Sequence, residues 1–215
     1  MVQSTLNVRF FESTRGRIVE ILRQGSRTVD ELAAELEVTD NAVRLHLGIL
    51  ERDGIVRSRG VRREGAVGKP ATIYDIAPDA DPLFSNAYLP FLSTLLASLA
   101  DRMSVHELKA LMRDVGHRLA AGTKQGDGTL AARAELASKV LNELGGLTGV
   151  ESVAGNESVS VRGWGCPLSV AVGEREEVCV AVQTMIAELT GTDVKQTCDC
   201  TGERPQCCFQ LSLKA

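Results

Sequence analysis

Residues 28–56 read TVDELAAELEVTDNAVRLHLGILERDGIV, and this stretch decides the fold of the N-terminal part of the chain. Thr28 followed by Glu31 has the pattern of a capping box, a reciprocal pair of hydrogen bonds that begins many helices. Apolar residues then recur at helical spacing, which predicts a short helix that buries Leu32, Ala33 and Leu36. Thr39 is a second N-cap, and Asp40 complements the positive end of the helix that would follow.

That second helix is predicted to bury a stripe formed by Val43, Leu47 and Leu50. Asp53-Gly54 ends it, and a strand begins at Ile55. Upstream, residues 14–23 have another helical pattern, which Gly25 terminates. Three helices followed by a hairpin that extends to Ile76 form the winged helix-turn-helix plan.

The helix after Thr39 would enter the major groove of DNA. Its outward positions are Asp40, Asn41, Arg44, Leu45 and Gly48. Asn41 can pair with adenine, and Arg44 can pair with guanine or phosphate. The wing loop is rich in arginine and glycine, a composition suited to phosphate or minor-groove contact. We therefore predict DNA contacts at Thr39, Asn41, Arg44, Leu45, Arg59, Arg62, Arg63 and Lys69.

The charge of the chain is distributed unevenly around a formal net charge of −4. Residues 39–70 contain seven basic and four acidic residues, whereas residues 78–215 contain twelve basic and seventeen acidic residues. The phosphate backbone responds to the local field, so the basic window is compatible with DNA binding in an acidic protein.

With GKPATIYDIAP at residues 68–78, the opening stretch resembles the DNA-binding domain of winged-helix repressors of the ArsR/DeoR-like group. The resemblance implies a winged helix-turn-helix domain over residues 1–78 and double-stranded DNA as a partner. It does not name an effector. Such repressors usually need two copies to read a palindromic operator.

Residues 79–145 are predicted to form a helical region. Apolar residues recur at helical spacing from Leu83 to Ala121, and a further helix is predicted from Leu130 to Leu144. The first apolar face comprises Leu89, Leu92, Leu95, Leu96 and Leu99. A long apolar helix beside a DNA reader favours homodimerisation, although it could also pack against the C-terminal half of its own chain.

All six cysteines lie in the last fifty residues: Cys166, Cys179, Cys198, Cys200, Cys207 and Cys208. Residues 146–215 combine short strand patterns with a helical pattern, which predicts a small α/β sensor domain and an α+β fold for the whole chain. The chain shows no signal-peptide pattern and no stretch long enough to span a bilayer, so we expect a cytoplasmic protein without a membrane partner. In a reducing cytosol, clustered cysteines indicate metal binding or redox chemistry.

Thiolates favour iron–sulfur clusters, Zn²⁺ and Cu⁺, and the spacing of these cysteines does not distinguish between them. Adjacent residues of a strand face opposite sides, so one of Cys207 and Cys208 is expected to be a ligand and the other a packed or spare thiol.

The segments GCPL at residues 165–168, EVC at 177–179 and CCFQL at 207–211 are similar to the C-terminal half of SufR-type regulators. Those proteins are homodimeric winged-helix repressors that bind an iron–sulfur cluster and control cluster-assembly operons. By position, the resemblance implies Cys166, Cys179 and Cys207 as ligands, with Cys198 or Cys200 as the fourth. The nuclearity, 4Fe–4S or 2Fe–2S, stays open.

Two other functions fit the same cysteines. A winged-helix regulator could hold a structural or sensory zinc ion, or a thiol-redox protein could work through Cys198-Asp199-Cys200 or through Cys207 and Cys208. The nearby carboxylates Asp199 and Glu203 disfavour reactive thiols. We do not expect an enzyme, because the sequence has no paired general acid and base, no phosphate-binding glycine loop and no Ser/His/Asp arrangement.

Overall fold

The computed structural model of the chain describes residues 9–62, 70–152, 158–165, 168–198 and 206–213. The chain divides into two compact units, residues 1–86 and residues 87–215. The helical region and the cysteine-containing region both belong to the second unit.

The first unit is a winged helix-turn-helix, as the sequence predicts. Its helices are α1 (Thr14–Gln24), α2 (Val29–Leu36) and α3 (Asp40–Arg52), and its strands are β1 (Arg27–Thr28), β2 (Val56–Arg62) and β3 (Ala71–Ile76). The strands form an antiparallel sheet in the order β1-β3-β2, with a register shift between Ser58 and Gly60. A 3₁₀ helix, Asp81–Phe84, follows the hairpin.

Side-chain caps determine where these helices begin. The Thr28 hydroxyl accepts the Glu31 N–H at 3.2 Å, and the Glu31 carboxylate accepts the Thr28 N–H at 2.7 Å, which confirms the capping box. The Thr39 hydroxyl accepts the Ala42 N–H at 3.3 Å and so caps α3 as predicted. Ser13 caps α1 in the same way, although the predicted helical pattern begins at residue 14 and does not include this cap.

An apolar core holds the three helices of this unit against its sheet. Among its side chains, the following are at most 2% exposed: Ile18, Leu22, Leu32, Val43, Leu47 and Leu50. Burying one such side chain contributes roughly 1.5–3 kcal/mol, whereas one N-cap contributes about 1 kcal/mol. Packing of the buried stripe therefore fixes the orientation of α3 more strongly than its cap does.

The second unit combines helices with a four-stranded sheet. Its helices are α4 (Tyr88–Ala100), α5 (Val105–Ala120), α6 (Leu130–Glu143), α7 (Ser169–Glu174) and α8 (Cys179–Thr190). Its strands are β4 (Thr148–Ser152), β5 (Ser158–Gly163), β6 (Asp193–Gln196) and β7 (Cys207–Ser212). All neighbouring strands are antiparallel, in the order β4-β5-β7-β6. The α+β fold class is therefore confirmed.

The helical pattern predicted from Leu83 to Ala121 is two separate helices, so the expectation of one long helix is wrong. α4 ends at Ala100, and the Ser104 hydroxyl accepts the Glu107 N–H at 3.3 Å to begin α5. The Glu107 carboxylate accepts the Ser104 N–H at 2.8 Å, which completes a second capping box. This cap satisfies backbone groups at a new helix start, and the apolar periodicity alone could not reveal the break.

The core of the second unit lies between its sheet and two helices, α6 and α8. Its members include Ala137, Leu141, Met185, Ile186, Phe209 and Leu211. α5 packs along α8. Within the described ranges, none of the helices has the combined length and apolarity that a membrane-spanning helix requires.

Candidate DNA-reading face and cysteine site

The residues predicted to read DNA lie on the exposed side of α3. Asn41, Arg44 and Leu45 are exposed, and Leu45 has 65% of its surface accessible. Gly48 lies on the same side, and a Cβ added there would meet nothing within 4 Å. Because the opposite stripe is buried in the core, this polar face is presented on a rigid element.

The wing strands contribute arginines that are already paired with carboxylates. The Arg59 guanidinium lies 3.3 Å from the Asp75 carboxylate, and the Arg62 guanidinium lies 2.6 Å from Glu31. Arg63 and Lys69 lie outside the described residues. Arg57 is exposed on the same strand, has no ion pair with any described residue, and is absent from the DNA contacts predicted from the sequence.

Glu31 connects the wing to the helix before the reading helix. One of its carboxylate oxygens accepts the Thr28 N–H and the other accepts Arg62. The Thr28 backbone hydrogen bond, followed by the hydrogen bond and the charge of Arg62, lowers the pKa of Glu31, while its partial burial acts in the opposite direction. Arg62 therefore positions the base of the wing, whereas the Arg59 side chain is 65% exposed, so that its guanidinium is open to a phosphate on the solvent side.

Two of the predicted ligand cysteines line one cavity in the second unit. Cys179 is the first residue of α8 and is 4% exposed, and Cys207 is the first residue of β7. The cavity has a volume of about 20 Å³. Gly165 also lines it. The remaining wall residues are largely apolar: Leu141, Thr148, Val161, Gly163, Val172, Val182 and Phe209.

Cys166 and Cys200 lie outside the described residues. Gly165, the residue before Cys166, lines the cavity, so the backbone leading to this cysteine is in the same place as Cys179 and Cys207. The fold thus brings Gly165 to the same cavity as Cys179, 14 residues later in the sequence, and Cys207, 42 residues later.

Cys198 lies against Cys207 rather than in a separate site. Its sulfur accepts the Cys208 N–H at 3.2 Å. A hydrogen bond from the Cys207 side chain lowers the pKa of the Cys198 thiol to about 6, with the Cys208 N–H as a smaller contribution and burial acting in the opposite direction. A lowered thiol pKa increases the thiolate form, which is the form that binds metals.

Strand alternation separates the adjacent cysteines of β7. Phe209 and Leu211 are buried on the core face of this strand, and Cys207 shares that face because side chains alternate with a period of two. Cys208 belongs to the opposite face.

The donor set is soft, but its described part is incomplete. Among the residues that the structure describes, no three His, Cys, Asp or Glu side chains are grouped so that they could hold a metal ion. The two thiol residues of the cavity and the adjacent Cys198 are of the type that binds Fe–S clusters, Zn²⁺ or Cu⁺. A single-ion site of four protein ligands therefore requires at least two ligands from outside the described ranges.

A family comparison identifies the first unit. The model of the family "Bacterial regulatory protein, arsR family" matches residues 12–58, which span α1, α2, α3 and the start of β2. This segment is an ArsR-family helix-turn-helix, and the chain is a DNA-binding transcriptional regulator. No curated protein matches the chain.

Several solved structures are similar to part of the chain. Reduced HlyU from Vibrio cholerae is 22% identical over 39% of this chain and 82% of its own, with a TM-score of 0.28. Rv0081 from M. tuberculosis is 31% identical over 47% of this chain and 97% of its own, with a TM-score of 0.28. The adhesin competence repressor AdcR from Streptococcus pyogenes is 19% identical over 46% and 72%, with a TM-score of 0.29.

Proposed function

We propose that the chain is a homodimeric, SufR-type repressor whose affinity for a palindromic operator is controlled by an iron–sulfur cluster, and that it regulates cluster-assembly genes. Cys166, Cys179 and Cys207 would hold the cluster, with Cys198 or Cys200 as the fourth ligand. The observation that carries this proposal is the single cavity lined by Cys179, Cys207 and the residue before Cys166.

The donor residues fit such a group in kind. Cys179 begins a buried helix, Cys207 begins a central strand, and Gly165 follows the neighbouring strand β5. When bound, an iron–sulfur cluster would supply an oxidant-sensitive cross-link between these segments. The apolar walls would limit the access of water, a property that tunes cluster stability and potential.

Homodimerisation is supported by the exposed apolar face of α4. Leu96 is the buried residue of this helix, and it packs against the core of its own unit. Other large apolar side chains of this helix, including Leu92 one turn before Leu96, are substantially exposed: Tyr88 63%, Phe91 69%, Leu92 38% and Leu95 44%. A contiguous apolar face of this kind marks a protein–protein contact, and a second copy is the partner that a palindromic operator requires.

Cluster binding would affect DNA only through the two copies. A ligand shifts an equilibrium by its differential affinity for the two states. The cysteine segments would therefore have to be arranged differently in the DNA-binding and non-binding forms of the dimer. The reading residues of α3 would keep their local geometry in both forms, because their core does not include any cysteine.

A zinc-binding regulator is the second candidate, and the size of the cavity favours it. A volume of about 20 Å³ accommodates about one water molecule. A single Zn²⁺ ion held by the thiols would fit a space of this size.

Anaerobic purification distinguishes the two candidates. We expect a brown protein with broad visible absorption that contains iron and sulfide. Cys207→Ser should lose this absorption, while Cys208→Ser, on the opposite face of the same strand, should retain it. A colourless protein with one zinc per chain would establish the zinc site instead, and a Cys207→Ser variant with full iron content would exclude the proposed ligand set.

Gly48 provides a test of the reading face. Gly48→Ala should stabilise the first unit by about 0.5–1 kcal/mol, because alanine is favoured in helices and the added methyl group meets nothing within 4 Å. The same methyl group should lower DNA affinity, since it stands between the helix backbone and the groove. Thermal unfolding and DNA titration measure both effects, and a loss of stability would show that this side of α3 is packed.

A further inference from the structure

The hairpin formed by β6 and β7 brings two cysteines into direct contact. Its register pairs Asp193 with Ser212 and Gln196 with Phe209. The Thr197 N–H then donates to the Cys208 carbonyl at 2.8 Å, so the pairing continues one step beyond β6. The next step of the same register sets Cys198 opposite Cys207.

The two thiols interact in this arrangement. The Cys207 side chain hydrogen-bonds to the Cys198 sulfur. The sulfur is also held by the Cys208 backbone, whose N–H lies 3.2 Å and whose carbonyl oxygen lies 3.4 Å from it. Both side chains are half-buried, so they are ordered by contacts and still accessible to a small molecule.

The geometry suits a disulfide bond. Cross-strand residues in an antiparallel pair have Cα atoms about 4.5–5.5 Å apart, within the range of about 4.4–6.8 Å that disulfides span. Other described cysteines are less suitable, because Cys208 belongs to the opposite face of β7 and Cys179 is 4% exposed.

We propose that Cys198 and Cys207 form a reversible disulfide in the metal-free protein when it meets hydrogen peroxide. The Cys198 thiolate attacks one peroxide oxygen, the O–O bond breaks, and the products are Cys198 sulfenic acid and hydroxide, which takes up a proton to become water. The Cys207 thiol then attacks the Cys198 sulfur, the S–S bond forms, and the sulfenic oxygen leaves as water. Two thiols are oxidised by two electrons in total, and one peroxide is reduced to two waters.

The disulfide has a consequence for metal loading, which rests on the proposed function. A Cys207 sulfur in a disulfide cannot also be a thiolate ligand. The oxidised chain should therefore take up neither iron and sulfide nor zinc at this site until a thiol reductant restores it. The Cys198–Cys207 disulfide would therefore form after the metal has been lost and would prevent its return until the bond is reduced.

The test uses the full-length, metal-free chain, treated with hydrogen peroxide, alkylated and mapped by peptide mass spectrometry. Wild type and the matched control Cys208→Ser should both yield a linked pair of peptides that carry Cys198 and Cys207, and dithiothreitol should reverse the link. Cys198→Ser should leave Cys207 open to alkylation. A dominant link of Cys198 to Cys200, of Cys207 to Cys208 or between two chains would overturn the proposal, as would the absence of any link.

A second measurement separates this inference from the proposed function. Reduced and oxidised wild-type chains are incubated anaerobically with iron and sulfide, and iron uptake per chain is compared. Uptake by the reduced form alone supports mutual exclusion, and equal uptake by both overturns it. If the reduced chain takes up no iron, the cluster proposal fails, whereas the disulfide is still decided by the mapping, which involves no metal.

Discussion

Arg44→Ala should lower the affinity of the protein for its operator about fivefold to 150-fold, the effect of losing about 1–3 kcal/mol at a base-reading arginine. Arg44 is exposed in the middle of the polar face of α3 and has no ion pair with a described residue. Its guanidinium therefore does not have to leave a protein carboxylate before it meets guanine or phosphate. A duplex selected by the wild-type protein from a random pool serves as the probe, and fluorescence anisotropy measures the affinity.

Arg52→Ala is the matched control for this substitution. Arg52 belongs to the same helix and is exposed, but it lies in the last turn, where its guanidinium is 3.2 Å from the Asp53 carboxylate. We expect its removal to change operator affinity less than threefold, since an exposed pair contributes little. Equal losses for both variants would show that α3 contributes only general positive charge, and no loss for Arg44→Ala would show that another face reads DNA.

Arg44→Ala also separates reading from sensing. The substitution lies in the first unit, whereas the cysteines belong to the second. Under the proposed function, the iron and sulfide content of the variant should therefore equal that of wild type. A lower metal content would mean that Arg44 affects the whole protein, and the affinity result could not then be assigned to base contact.

The first unit could be predicted from sequence because its determinants are local. Thr28, Glu31 and Thr39 cap helices whose apolar residues recur at clear helical spacing. The caps and the apolar periodicity both lie within short stretches of sequence. The break between α4 and α5 is also local, since Ser104 and Glu107 form a capping box, but the continuing apolar period obscured it. Strand β6 was missed because four residues with alternating half-burial give too short a pattern to recognise.

The wing illustrates what local patterns cannot show. The arginine-rich loop predicts phosphate contact, yet Arg62 is paired with Glu31, a residue 31 positions earlier. That ion pair depends on how the hairpin packs beside α2, so the spacing of residues in the sequence does not predict it. Charge composition therefore predicts the wing as a phosphate-contacting segment, but it does not predict which of its arginines are paired with carboxylates.

For the cysteine site too, the sequence predicts the candidate residues but not which of them lie together. Sequence pairs such as Cys198 with Cys200, or Cys207 with Cys208, are the natural candidates when only neighbours are compared. The fold instead brings Cys198 to Cys207 through the strand register of β6 and β7, and brings Cys179 to Cys207 through packing of α8 on the sheet. Long-range pairing of this kind follows from topology, so the sequence could supply the candidate residues but not their partners.

Gly116→Val should destabilise the second unit by about 3 kcal/mol, the upper part of the usual range for overpacking. Gly116 lies in α5 where that helix crosses α8, and even a Cβ there would come within 2.5 Å of the Ala181 carbonyl oxygen and 2.7 Å of the Thr184 Cβ. These neighbours are a backbone atom and a branched side-chain carbon, which cannot rotate away. The two helices would have to separate, and α8 carries Cys179 at its first turn.

Gly122→Val is the control, because a Cβ at Gly122 meets nothing within 4 Å. Trp164 is the single tryptophan of the chain and belongs to the second unit, so its fluorescence follows the unfolding of that unit alone. We expect the midpoint of this transition to fall by about 10 °C in Gly116→Val and to change little in Gly122→Val. Under the proposed function, the visible absorption of the anaerobic protein should fall together with the stability, since a displaced α8 moves Cys179 away from Cys207. An unchanged unfolding midpoint for Gly116→Val would mean that α5 and α8 do not approach each other closely. A normal midpoint with lost visible absorption would mean that the substitution disturbs the cavity without loosening the packing of the two helices.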